Sequence, residues 1–149
     1  MSLLEPILST TADAAPLVAR LVLGLVILPH GLQKAFGWFG GYGPKATIGY
    51  FAALGIPAPL GWLGIAAETV GPLLLIAGLL SRPAALAVGG MMVVATALQH
   101  WPRLFMNWGA EGGRGEGFEY HLLALGLAAI VVLHGGGLWS LDAAFVGAR

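Results

Sequence analysis

Histidine, lysine and carboxylate side chains stand inside stretches of this chain that are otherwise almost entirely Leu, Val, Ile, Ala and Gly. Arg20, His30, Gln33 and Lys34 fall in one such stretch and Glu68 in the next. Gln99 and His100 close a third, while Glu119, Tyr120, His121 and His134 belong to a fourth. These groups donate and accept hydrogen bonds, pair as ions and exchange protons. An ionisable group is costly to hold in apolar surroundings, so such residues usually face the interior of a bundle and mark a site. The chemistry open to them is proton transfer, hydrogen bonding to a small polar ligand, or structural ion pairing. The chain has no cysteine, so it offers no thiolate ligand and no thiol redox chemistry. Electrons for any redox step must come from a partner or a bound ligand.

The elements that position these groups follow from composition. The chain is 58% hydrophobic and 9% charged, with a mean hydropathy of +0.85, where a soluble domain carries roughly 25% charged residues. Seven basic and seven acidic side chains cannot cover a soluble fold of this size, so the lipid bilayer supplies the outer contact. Net charge is zero and the basic residues are spread singly, which excludes a nucleic-acid binder. The N-terminus opens with Glu5 and Asp13 rather than a basic region, so the first apolar stretch is expected to stay on the protein as a helix.

A crossing helix needs roughly 20 apolar residues at about 1.5 Å per residue. Four windows meet this, at 16–36, 60–80, 83–101 and 118–138. They predict an all-α fold of one domain, 1–149, an integral membrane four-helix bundle with both termini on one side. Ser81 and Arg82 alone are expected to join the second and third spans. The other two connections are long and rich in Gly, Trp and Pro. The first carries Trp38, Phe39, Tyr42, Lys45, Tyr50 and Phe51, and its pattern suits a short helix lying in the interface. Trp38, Trp62, Trp101 and Trp108 fall at the long-loop ends, where an interfacial aromatic belt belongs. Basic residues do not set the orientation: Lys45, Arg103 and Arg114 on the long-loop side balance Arg82, Arg149 and Arg20 on the other.

Counting depth along antiparallel spans brings His30, Lys34, Glu68, His100, Glu119 and His121 into the half of the membrane nearest the long loops. Arg20, Arg82 and His134 fall in the other half. On the first span Gly24, His30, Gly31 and Lys34 share a polar, small-residue face with Arg20. On the second, Gly61, Gly64, Glu68 and Gly71 share one by helical spacing, and small residues let neighbouring helices approach. Glu68 lies deep enough to require a cation or a proton, and Lys34 and His30 are nearest in depth. Glu119 and His121 are about 200° apart round a helix, so at most one of them faces a common ligand. The plainer readings are that Lys34 snorkels to the interface, that His100 and His121 are solvated at the helix ends, that Glu68 is a structural ion-pair partner, and that Tyr120 only packs.

The order Arg20, His30-Gly31-Leu32-Gln33-Lys34, Glu68-Thr69-Val70-Gly71, Gly78-Leu79-Leu80-Ser81-Arg82 and Gly117-Phe118-Glu119-Tyr120 resembles the DoxX family of small four-helix membrane proteins, across roughly Ala15 to Leu138. The resemblance implies a bacterial inner-membrane protein. It also implies a link to quinone reduction, as in the membrane subunit of thiosulfate:quinone oxidoreductase, or to complexes that handle oxidative stress. Relatives of similar architecture act as chaperones or cargo receptors. Arg20, Lys34, Glu68 and Glu119 are the positions that carry over, and the second subunit of the thiosulfate enzyme is not part of this chain.

Residues and resemblance together set the expectation of a membrane subunit of a redox-linked complex. It binds a quinone-like molecule in a polar cavity, carries no covalent cofactor and works with a partner protein or as a homo-oligomer. Whether it is itself an enzyme stays open. The alternatives are a non-enzymatic binding module or assembly chaperone, and a small-molecule transporter. A haem held by His30 and His100 weighs less because their helix faces do not pair, and a metal site weighs less without Cys or an HExxH spacing.

Overall fold

The computed structural model describes residues 5–108 and 117–146; Arg114 and Arg149 lie outside them. Every regular element described is helical: α1 (Glu5–Leu8), α2 (Ala14–Phe36), a 3-10 turn (Trp38–Gly40), α3 (Gly43–Ala53), α4 (Ala58–Ala77), α5 (Ser81–Ala95), a π-helical turn (Thr96–His100), α6 (Glu119–His134) and α7 (Leu141–Val146). The four long helices close a ring in which α2 packs on α4 and α6, and α5 packs on the same two. Leu23, Leu75, Ala85, Val88 and Val131 fill its centre. The outer faces are also apolar: Leu25, Leu63, Leu86, Leu123 and Leu133 are 59%, 64%, 62%, 71% and 70% exposed. A ring apolar on both faces is built for lipid.

Length separates three of these helices from the fourth. Ala14–Phe36, Ala58–Ala77 and Ser81–His100 have 23, 20 and 20 residues and are apolar enough to cross. The helix expected over 118–138 stops at His134 after 16 residues, about 24 Å at the α-helical rise. Three glycines end it. Gly135 and Gly137 have φ of 80° and 71°, and a Cβ on Gly137 would come within 2.7 Å of the Asp13 carbonyl oxygen. Apolar counting reads that run as helix because Gly adds no polarity, while its backbone turns to pack on the chain entering α2.

The turn between α4 and α5 also differs from expectation. Gly78 takes the left-handed conformation that caps α4, with φ 68°, so the reversal is 78–80 and Ser81 and Arg82 already belong to α5. The cap on α5 comes from far along the chain. The Asp142 carboxylate, 1% exposed, accepts the amides of Leu80 at 2.8 Å and Ser81 at 2.9 Å, placing negative charge at a helix N-terminus.

Glycine also sets how closely α2 meets α4. Pro72 has no N–H for the carbonyl of Glu68 four residues earlier, and that carbonyl lies against Gly31, where a Cβ would overlap it. Gly24 is the next tight point, with a Cβ 2.9 Å from the Pro72 oxygen. On α4 itself the small face is shared among neighbours: Gly61 meets Ile48 and Phe51 of α3, while Gly64 and Gly71 meet Met91 and Val88 of α5.

Candidate functional site: a cavity with a polar floor

Four helices and α3 enclose a cavity of about 930 Å³ at the long-loop end of the bundle. The back wall is α2, through Ile27, His30 and Lys34. The sides are α4, with Gly64, Ala67 and Glu68, and α5, with Ala87, Gly90 and Met91. Tyr50 and Phe51 of α3 form the roof, and Gln99, His100, Tyr120 and His121 complete the polar end. Most of the surface is apolar, with a few converging polar groups, which is the make-up of a small-molecule site.

The centre of the floor is the ion pair between Lys34 Nζ and Glu68 Oε2, with side chains 31% and 4% exposed. Lys34 reaches it from the last turn of α2 and Glu68 from mid-α4, which the close Gly31 contact permits. Beside the pair runs a row of rings. His30 and Tyr120 have centroids 6.3 Å apart, Tyr120 and His121 5.5 Å apart, and His121 and His100 4.5 Å apart.

The last contact depends on the π turn. Its wider winding, closed by the Trp101 amide donating to Thr96 O at 2.9 Å, turns His100 toward α6 and Gln99 toward α3. Gln99 Oε1 then accepts the Tyr50 hydroxyl at 2.5 Å, tying the roof to α5. An inserted residue in a helix commonly sits at a functional position. Spacing alone places His100 at a helix end and does not reveal the extra residue.

Of the residues singled out from the sequence, the cavity brings together His30, Lys34, Glu68, His100 and His121. The pairing of histidines is His100 with His121, where the sequence considered His30 with His100. Glu119 and His121 diverge as their angular separation requires: Glu119 turns away and its Oε2 accepts the Met106 amide at 2.6 Å, pinning the connection before α6. Tyr120, read as packing, lines the cavity, and so do Tyr50 and Gln99. Tyr50 could have been suspected only from its place in the aromatic connection.

Arg20 is at the other end. It is 2% exposed and donates to Gly136 O at 2.8 Å, Leu75 O at 2.9 Å, Ile76 O at 2.6 Å, Leu138 O at 3.3 Å and Trp139 O at 3.1 Å. These carbonyls lie at the end of α4 and in the turn after α6, where helical N–H partners run out; that of Leu75 also accepts the Gly78 amide. Arg82 has a similar task, donating to Ser9 O at 3.1 Å and Val132 O at 2.8 Å. The two arginines and Asp142 close the end opposite the cavity.

An all-helical bundle with an apolar exterior, one closed end and one hollow, polar-floored end defines a membrane protein with an internal cavity. The sequence profile of the DoxX family matches residues 15–101, more than half the chain, and the chain belongs to the DoxX family. That match takes in α2 to the π turn, with Arg20, His30, Lys34, Glu68 and His100, and stops short of the Glu119-Tyr120-His121 segment. Comparison with curated proteins and with solved structures finds no match.

Proposed function

We propose that the protein is the membrane subunit of a redox-linked complex and binds a quinone-like molecule in this cavity. The observation that carries the reading is the floor: a buried carboxylate paired with a lysine, with two imidazoles in tilted contact, in a mostly apolar chamber. A quinone ring needs hydrogen-bond donors at its carbonyls and proton carriers on reduction, and imidazole, tyrosine and carboxyl groups are those carriers. The rings of His30, Tyr120, His121 and His100, in successive contact beside the floor, put those carriers next to the site.

In this reading α6 crosses as a fourth span, its short length completed by the glycine run and α7. The termini then share one face of a bacterial inner membrane, and the long loops share the other. Contacts among the terminal segments support it: Thr11 N donates to His134 O at 3.0 Å, and Leu138 N to Asp13 O at 3.0 Å. Cysteines placed one at a time at Ala46, Trp108, Ala12 and Ala144 test the topology with a membrane-impermeant maleimide on intact cells. Ala46 and Trp108 are expected to label from the same side and Ala12 and Ala144 from the opposite one. A split within either pair removes a crossing.

The ligand is tested directly. Purified full-length protein in mild detergent is titrated with a short-tailed benzoquinone. Glu68→Gln keeps the shape and loses the charge, and is expected to weaken binding by about 10- to 100-fold, since a hydrogen bond to a charged group is worth roughly 1.5–3 kcal/mol. Wild-type affinity in a folded Glu68→Gln protein would remove Glu68 from the site. A wild-type protein that binds no quinone but co-purifies with one particular membrane protein would favour the assembly-chaperone alternative.

A further inference from the structure

The cavity and the lipid-facing surface share walls. Leu63 and Leu86 line the cavity yet are 64% and 62% exposed, and Val94, also in the lining, is 41% exposed. All three lie on α4 and α5. Near the turn the helices touch, and a Cβ on Gly71 would come within 2.9 Å of Val88. Two turns further along α4, at Gly64, the space is bridged by the Met91 side chain, and nothing lies within 4 Å of a Cβ built on Gly90. The result is a cleft between the two helices, closed by direct contact at Gly71 and Val88 and bridged at Gly64 by the Met91 side chain, whose lips are exposed apolar side chains.

We propose that this α4–α5 cleft is a lateral portal, and that the cavity takes a tailed amphiphile from the membrane. Its polar head lies at Glu68 and His121, and its hydrocarbon chain passes Met91 and Gly90 into lipid. The inference rests on the cavity being a ligand site and adds the route and the class of ligand. The ion pair and the histidines lie at the inner end, and the Tyr50 hydroxyl at the roof is held by Gln99 Oε1, so the head lies inward. The lips carry only hydrocarbon, so a chain lies there without desolvating a polar group, whereas a water-soluble ligand would have to pass them unaided. The volume, about 930 Å³, is at the upper end for a small-molecule site and takes a ring with the first part of a chain.

The test uses the full chain in phosphatidylcholine vesicles that contain a phosphatidylcholine with a photoreactive diazirine on its acyl chain. After irradiation the labelled residues are mapped by mass spectrometry. Met91 and Ala67, inside the lips, are expected to label along with the outward Leu133. Gly90→Leu, which has room for its side chain, is expected to cut labelling at Met91 and Ala67 about tenfold, as a loss of ~1.4 kcal/mol in occupancy gives, with Leu133 unchanged. Wild-type protein labelled at Leu133 but not at Met91 or Ala67 overturns the portal, and so does labelling that persists in an inserted Gly90→Leu protein. If Gly90→Leu does not insert, the wild-type pattern and the milder Gly90→Ala, expected to leave labelling intact, decide the question. Failure of the quinone titration with Met91 and Ala67 still labelled retires the quinone and supports the portal as a site for a lipid chain.

Discussion

Replacing Lys34 by Met is expected to lower the stability of the protein by about 3–5 kcal/mol, because it strands a carboxylate that the bundle has taken out of solvent. The two partners are not equivalent. The Glu68 side chain is 4% exposed and that of Lys34 31%, so an orphaned lysine at the end of α2 can extend toward the interface and recover hydration. An orphaned Glu68 cannot, and stays as an uncompensated buried charge. Glu68→Gln should therefore cost less, about 1–2 kcal/mol. Combining it with Lys34→Met removes both charges and should return stability to within about 1 kcal/mol of the parent, as exchange of a whole buried pair often does. Denaturant unfolding in detergent on the four proteins measures this cycle. Additive losses, with no recovery in the double variant, would show that the two residues are not coupled. The same proteins separate structure from function: ligand binding lost in the stable double variant assigns the charge to the ligand as well as to the fold.

Arg20→Lys should do still more damage. The guanidinium places five N–H groups in a planar fork against carbonyls from two chain segments, whereas an ammonium offers three donors from one point. At 2% exposure, with lipid rather than water beyond, the carbonyls left over have no replacement partner. A loss on the order of 4–5 kcal/mol is expected, in the range reserved for broken buried networks. Arg82→Lys, with two acceptors at a less buried position, should lose less. Thermal unfolding of both variants in detergent measures the difference. Arg20 and the cavity occupy opposite ends of the bundle, so Arg20→Lys protein held below its lowered melting temperature should bind the benzoquinone like the parent. Binding lost without any drop in stability would move Arg20 from the scaffold into the site.

These two expectations draw on different parts of the chain's information. That the protein is helical and lies in a membrane is legible in the residues themselves. Hydropathy is a local sum, and a run such as Leu21 to Leu28 has few other stable environments. Depth is legible too, since every helical residue advances by the same rise. Lys34, Glu68, His100 and His121 could thus be put at one level, and Arg20 at another, by counting.

What counting leaves open is direction round each helix axis and the points where regular winding fails, and these the tertiary structure decided. The π turn at Thr96–His100 adds no signal to the sequence, yet it sets His100 on His121 and Gln99 on Tyr50. Glycines 135 to 137 look like the continuation of an apolar helix. They become a turn because the chain before α2 fills the space a helix would need and Arg20 holds the Gly136 carbonyl. Asp142 lies outside the four apolar windows and drew no reading from the sequence; the return of α7 to the α4–α5 turn makes it the cap of α5. The contacts that decide these positions, His100 with His121, Arg20 with Gly136 and Asp142 with Leu80 and Ser81, join residues far apart in the chain. No window along the sequence contains both partners.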